Sequence, residues 1–422
     1  MSKRYFKWIA ALVAVVMVFT ITAIGCTEPQ TETKELVVAG WVGADDPGTY
    51  GNVEAAFEEL YPDWEVTWKF ISDYPELRTK MTADPEFADV LGTDPSEMIL
   101  FEPFIEPIDV EKITRWEDVD EVVRELYGVT MDSEVYGVPF EMGYSMMIYR
   151  GDLLGQWLVD NEYLPGTVNA TEYMNQDVID KINEIGYELL FNPEEYPLDG
   201  LILWYDGPRW SFVFPAAAAL YELGDNITDM WAMNETQYAA AEAKYMDGKD
   251  NVQGYWAGWE EGYSPLISGE AYLVAGWQDI WWWADAELYE LSEEPGNYTE
   301  GWVYYMEPLE PEHSLFFWLS TWSIAEGVSE DSEVWDAAHD WMDCWLTVEA
   351  QMDKITCWAY NPPVPAAADA LLADPEYEWY WWLIDEFDLA DPAAAMARAT
   401  VYEPFTEYHF NQWLTIWLSM KE

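Results

Sequence analysis

Between Leu36 and Asp94 the chain alternates short apolar runs with amphipathic ones, and that order restricts its fold more than any other feature. Leu36-Val37-Val38-Ala39-Gly40-Trp41 is apolar and carries β-branched residues, so it reads as a buried strand. A loop rich in Gly, Asp and Pro (43–51) leads into residues 52–60, whose apolar spacing predicts a helix with Asn52 as its N-cap. Residues 64–71 alternate as a strand does, residues 74–83 are helical, and residues 89–94 form a third strand ending in a polar loop. Strand, helix, strand, helix, strand in that order implies an α/β domain with a largely parallel sheet. Such sheets bind ligands at the carboxyl ends of their strands, which here are Trp41 and Thr93-Asp94.

A second α/β segment begins near residues 135–140 and 143–150. Helices are predicted over about 178–190 and 214–223, a strand over 271–277 ending in Trp277, and a helix over 332–346. The run Trp281-Trp282-Trp283 reads as a buried helix face. No fixed-period repeat is present.

Lys3, Arg4 and Lys7 precede an apolar run from Trp8 to Ile24, too short to span a membrane comfortably, and residues 1–25 read as a cleaved signal peptide. The run closes on Ala23-Ile24-Gly25-Cys26, which resembles the lipobox of lipoproteins. That resemblance implies acylation of Cys26, with residues 26–35 as a polar tether and the folded part outside the cytoplasmic membrane. Roughly 400 residues remain after cleavage, more than one hydrophobic core usually organises, so two domains are expected. Cys344 and Cys357 are left either to form a disulfide or to stand as two buried thiols.

Eighteen basic residues face 81 acidic ones, a net charge of −63 spread along the whole chain. Such a field repels nucleic-acid phosphates, so nucleic acid is excluded as a partner. The acids either steer a cationic ligand or keep the surface solvated in concentrated salt; the second reading is favoured, because a pocket needs only a handful of carboxylates.

The order of segments resembles the extracellular solute-binding proteins of ABC importers of the spermidine/putrescine-binding type. The resemblance runs from Leu36 to about Pro365. It rests on the strand ending in Trp41, on Ala88-Asp89-Val90-Leu91, and on Tyr136-Gly137-Val138-Pro139 with Gly143. It continues through Ile267-Ser268-Gly269-Glu270-Ala271 leading to Gly276-Trp277, Phe317-Trp318 before Ser323-Ile324-Ala325, and Tyr360-Asn361-Pro362-Pro363. It implies a two-lobed periplasmic-binding-protein-like α/β fold with a ligand cleft between lobes. One lobe would hold 36–147 and 278–325, the other 148–277 and 326–422.

Carried over position by position, the resemblance brings Trp41, Asp94, Asp206, Trp277 and Trp318 to the ligand, and implies a monomeric receptor that hands a small solute to an ABC permease without a cofactor. Ammonium groups are recognised by aromatic faces together with one or two carboxylates. Two positions depart from the polyamine pattern: Arg209 stands where a second acid is expected, and Ser320 follows Trp318 where another is expected. A polyamine such as putrescine or spermidine therefore competes with a ligand bearing one cationic centre, or with a zwitterion (a betaine or an amino acid) or carboxylate that meets Arg209. Asp206 and Arg209 alternatively form a local ion pair at a helix start.

A secreted hydrolase is the alternative class. Only His313, His339 and His409 are available, and there is no Gly-x-Ser-x-Gly, His-Glu-x-x-His or phosphate-binding glycine loop, so neither catalysis nor a metal site is expected.

Overall fold

In the computed structural model, which describes residues 33–41, 51–291, 301–307, 315–404 and 406–421, one eleven-stranded sheet runs through the fold. It begins with strands β1 (Lys34–Trp41), β2 (Trp64–Ile71) and β3 (Val90–Thr93), separated by helices α1 (Gly51–Leu60) and α2 (Tyr74–Ala83). Asp73 caps α2 by accepting the Glu76 N–H at 2.7 Å, and Pro75 fits the first turn, where no helical N–H bond is lost. Asn52 lies inside α1 rather than at its cap, and its side-chain amide reaches Asp353 at 2.9 Å.

The two apolar runs at 135–140 and 143–150 belong largely to one strand, β4 (Val138–Arg150), every residue of which is buried. A strand covered on both faces shows no alternation to read. Strands β5 (Ile202–Tyr205), β6 (Val252–Trp256) and β7 (Leu273–Trp277) follow, with helices α3 (Pro208–Leu223), α4 (Glu235–Asp247) and α5 (Trp259–Ser268) between them. Helix α6 (Gln278–Leu291) and strands β8 (Val303–Tyr305) and β9 (Phe316–Ala325) lead to α7 (Glu333–Trp345) and α8 (Val348–Trp358), then β10 (Thr400–Val401) and α9 (Glu407–Lys421).

The strand order is β2-β1-β3-β9-β4-β7-β5-β6, with β8 beside β4, and with β10 and the two-residue strand Ile105–Glu106 beside β9. Parallel pairing is confined to the flanks of the sheet and to β10: β1 with β3, and β5 with both β6 and β7. Its centre is antiparallel, because β9 crosses back against both β3 and β4, and β4 runs against β7. The parallel pairing expected among the first strands holds for β1 with β3, and long antiparallel crossing strands join the two parallel flanks.

Two helix limits also differ from expectation. The predicted helix over 178–190 breaks at Gly186, whose φ of 63° favours glycine, into Gln176–Ile185 and Glu188–Phe191. The one predicted from 214 begins at Pro208 and runs through Pro215, which forgoes the bond to the Ser211 carbonyl; burial of nearly the whole helix carries it past that loss.

The described residues from Glu35 onward pack as one unit. Within the segment 326–422, α7 packs on α1, with the Phe57 and Trp341 ring centres 5.6 Å apart, whereas α9 packs on α3 through Phe212 and Trp413 at 5.1 Å. Cys344 and Cys357 are thiols and share no disulfide; Cys344 is packed into the core, and burial pushes its pKa up to about 12. Cys26, His313 and the loop 42–50 lie outside the described residues.

Eighteen cations cannot neutralise 81 acids, so the folded chain carries a large uncompensated self-repulsion. The melting temperature is expected to rise by several degrees from low-salt buffer to molar sodium chloride, as screening shortens. A salt-independent melting temperature would contradict the high-salt reading of this surface.

Candidate functional site

At the carboxyl end of β3, Asp94 opens the short turn Pro95–Glu97. Its Oδ1 accepts both the Ser96 N–H at 2.8 Å and the Ser96 hydroxyl at 2.7 Å. Thr93 is held beside it by hydroxyl contacts to Thr321 and Ser323 on β9, at 2.9 and 2.7 Å. One carboxylate oxygen is thereby committed to the loop, and the other, Oδ2, lies 2.7 Å from Nη2 of Arg209.

Arg209 comes from the far flank of the sheet. After β5 the chain turns through Asp206 and Gly207, and Pro208 begins α3, so Arg209 sits in the first helical turn. A Cβ at Gly207 would lie 2.6 Å from the Tyr205 ring, so this close turn needs glycine. The guanidinium is buried to 3 % exposure, with its carbon 4.3 Å from the Trp210 ring centre, 5.0 Å from Tyr402 and 5.4 Å from Tyr74. Glu97 is a more distant carboxylate at 3.9 Å and also meets Arg78 at 3.2 Å. Burial raises the Glu97 pKa, against the pull of Arg209 and Arg78; burial lowers that of Arg209, but Asp94 and Glu97 more than offset it and hold the guanidinium charged.

The Arg209–Asp94 contact is close but out of line. Among the described residues, Nε, Nη1 and Nη2 of Arg209 and Oδ2 of Asp94 all lack hydrogen-bond partners. A buried guanidinium with unmet donors is costly in an ordinary core and suited to a ligand carboxylate. The N-terminus of α3 beneath it adds a partial positive charge of the same sense.

The tryptophans collect around Trp210. Trp277, at the end of β7, lies 5.6 Å from it and 4.7 Å from Tyr205; Trp318, on β9, lies 6.5 Å from it and 4.8 Å from Tyr360. Trp41 joins through Tyr74, at 4.9 Å. A Cβ at Gly143 on β4 would fall 2.7 Å from the Trp318 ring, so this glycine lets the indole lie against the crossing strand. Asp94 and Tyr402 also wall a cavity of about 600 Å³ with Tyr127, Phe317 and Leu319, a volume that suits a small organic solute.

Of the residues singled out in the sequence, Asp94 and Arg209 meet directly, and Trp277, Trp318 and Trp41 surround them through one intervening ring each. Asp206 stands apart: its carboxylate is 2.5 Å from Lys421 of α9, on a half-exposed surface, so the local Asp206–Arg209 pair is not formed. Ser320 is buried on β9. Sequence reasoning missed Tyr74, Glu97, Trp210 and Tyr402. Trp210 had a signal, its position next to Arg209; Tyr402 had none, because β10 brings it in from the far end of the chain.

The two described histidines are held by hydrogen bonds. Nε2 of buried His339 accepts the Asp109 N–H at 3.1 Å while Nδ1–H donates to the Trp335 carbonyl at 2.7 Å, which suits the neutral ring that burial favours. His409 bonds the Tyr238 hydroxyl at 2.7 Å. Among the described residues no group of three or more side chains is placed to hold a metal, and no helix is long and apolar enough to cross a membrane.

Trp277→Ala is expected to weaken ligand binding roughly fivefold to a hundredfold, the range for a desolvated aromatic contact to a cation. Calorimetric affinities of the two proteins would check this, and equal values would remove Trp277 from the site.

Residues 53–383 match the family model for bacterial extracellular solute-binding proteins, and the chain belongs to that family. Similar solved structures include a Listeria monocytogenes protein assigned as a spermidine/putrescine ABC transporter, 18% identical with a TM-score of 0.65, covering 92% of this chain and 99% of its own. Another is the spermidine/putrescine substrate-binding protein PotD of Streptococcus pneumoniae, 16% identical with a TM-score of 0.60 over 92% and 98% of the two chains. A third is MotA of A. tumefaciens B6 in complex with glucopine, 15% identical with a TM-score of 0.60 over 92% and 100%. No curated protein matches the chain.

Proposed function

We propose that this solute-binding protein is the monomeric receptor of an ABC importer, tethered outside the membrane through Cys26, and that its solute carries both a carboxylate and a cationic centre. The observation that carries the reading is the buried Arg209 guanidinium, with three nitrogens lacking hydrogen-bond partners and aromatic rings on several sides. A carboxylate fits the guanidinium fork, and an ammonium fits the faces of Trp210, Trp277 and Trp318.

A polyamine, the solute named for two of the structural neighbours, needs free carboxylates instead. Asp94 and Glu97 face Arg209 and Arg78, and Asp206 faces Lys421, so each of these three acids is matched by a cation. Titration calorimetry with glycine betaine, ω-amino acids, putrescine and spermidine tests the choice. Binding of a zwitterion in preference to the diamines supports the reading, and preference for putrescine or spermidine overturns it.

The two-lobe division belongs to the same proposal. Asp94 and Trp41 lie at the ends of β3 and β1, and Arg209 and Trp277 follow or end β5 and β7, so a solute touching both sets favours the closed form by its differential affinity. Cys26→Ser is expected to release the protein into the medium or leave it unprocessed, checked by fractionation of cells; membrane retention of a processed, unacylated chain would contradict the anchor.

A further inference from the structure

We propose that the protein carries a second ligand site, for a small organic ammonium ion, in the aromatic cavity formed by α6, β8 and the segment 375–386. This cavity, of about 320 Å³, shares no lining residue with the one beside Asp94. Trp282, Asp285 and Tyr289 lie along one face of α6, at helical spacings of three and four. Trp379 and Trp382 close the opposite wall, 4.9 Å from Tyr289 and 6.2 Å from Trp282 between ring centres. Tyr173 and Tyr304 complete the lining.

Two features separate this cavity from a packing defect. Trp379 and Trp382 remain 46 % and 39 % exposed, although the core around them is well filled. Two carboxylates stand among the rings. Asp285 is more than nine-tenths buried, its Oδ1 accepting the Val303 N–H at 3.2 Å, and Glu386 accepts the hydroxyls of Tyr304 and Tyr305 at 3.1 and 2.5 Å. The nearby Arg398 meets Glu307 at 3.2 Å and Asp388 at 3.6 Å and donates to the Glu386 carbonyl and to the Tyr305 hydroxyl at 3.3 Å, so it reaches the Glu386 carboxylate only through that hydroxyl. Aromatic faces with acids behind them are the recognition chemistry of alkylated ammonium groups, and the volume suits a choline-sized ion.

The test is calorimetric titration of the full protein with choline and with 3,3-dimethylbutanol, its uncharged counterpart of the same shape. Choline is expected to bind and the alcohol to bind at least roughly tenfold more weakly. Trp382→Ala and Glu386→Gln are each expected to lower choline affinity roughly fivefold or more, while Trp277→Ala leaves it unchanged. Because Glu386→Gln keeps the side-chain shape, it stands in if the tryptophan variant fails to fold. Absence of choline binding at millimolar concentration overturns the proposal. So does equal affinity for the alcohol, or binding lost with Trp277→Ala and indifferent to both cavity variants.

Discussion

Replacing Arg209 with alanine is expected to lower affinity for a carboxylate-bearing solute by about thirtyfold or more, since truncating one side of a buried charged contact costs roughly 2–5 kcal/mol. At 3 % exposure the guanidinium has no water to compensate for a missing partner. Arg209→Lys retains the charge but loses the planar fork, so an intermediate loss is expected. A purely cationic diamine should respond in the opposite direction, because removing Arg209 frees Asp94 to act as its counter-charge. The substitution also withdraws a cation from Asp94 and Glu97, so circular dichroism and melting must accompany the calorimetry. An unchanged affinity in a folded variant would remove Arg209 from the site.

The second large effect is on stability. Lys354 on α8 is 1 % exposed, its ammonium 3.7 Å from the Glu141 carboxylate of β4 and 4.6 Å from the Trp345 ring centre. Lys354→Ala is expected to cost about 3–5 kcal/mol, because it leaves the buried Glu141 carboxylate without this cation. Replacing both residues together, as Lys354→Met with Glu141→Leu, should recover most of that loss. Urea unfolding would measure both, and a loss under about 1 kcal/mol in the single variant would mean the pair is unimportant.

The same lysine should leave a mark on pH dependence. Burial lowers its pKa to about 8, against the opposing pull of Glu141, whereas in the unfolded chain it titrates near 10.5. Between those values the unfolded chain binds more protons, so this group makes stability rise with pH from about 8 to 10.5; below 8 its charging cost is present in full. The Lys354→Met/Glu141→Leu variant should lose that rise.

Much of the fold was legible because short apolar or alternating strands and amphipathic helices stand out between turn residues: β1, β2, β3, α2 and α7 fall within a residue or two of their predicted limits. The antiparallel centre was not legible. β4 and β9 are buried along their whole length, their polar residues included, so no alternation states which strand they will pair with or in which direction. The site divided along the same line. Asp94, Arg209, Trp277 and Trp318 stand at strand ends, at a helix start or on a crossing strand within recognisable local patterns. Tyr402 and the Lys421 that takes up Asp206 come from the last twenty-odd residues, and only the tertiary fold brings them in.

The central claim is that solute binds between Arg209 and the tryptophans gathered around Trp210. A crystal structure of the protein with the solute that calorimetry selects tests it most directly. The expected density places a carboxylate within hydrogen-bond distance of the Arg209 guanidinium and a cationic group against Trp277 or Trp318. Solute density elsewhere, with Arg209 still facing Asp94 alone, would contradict it.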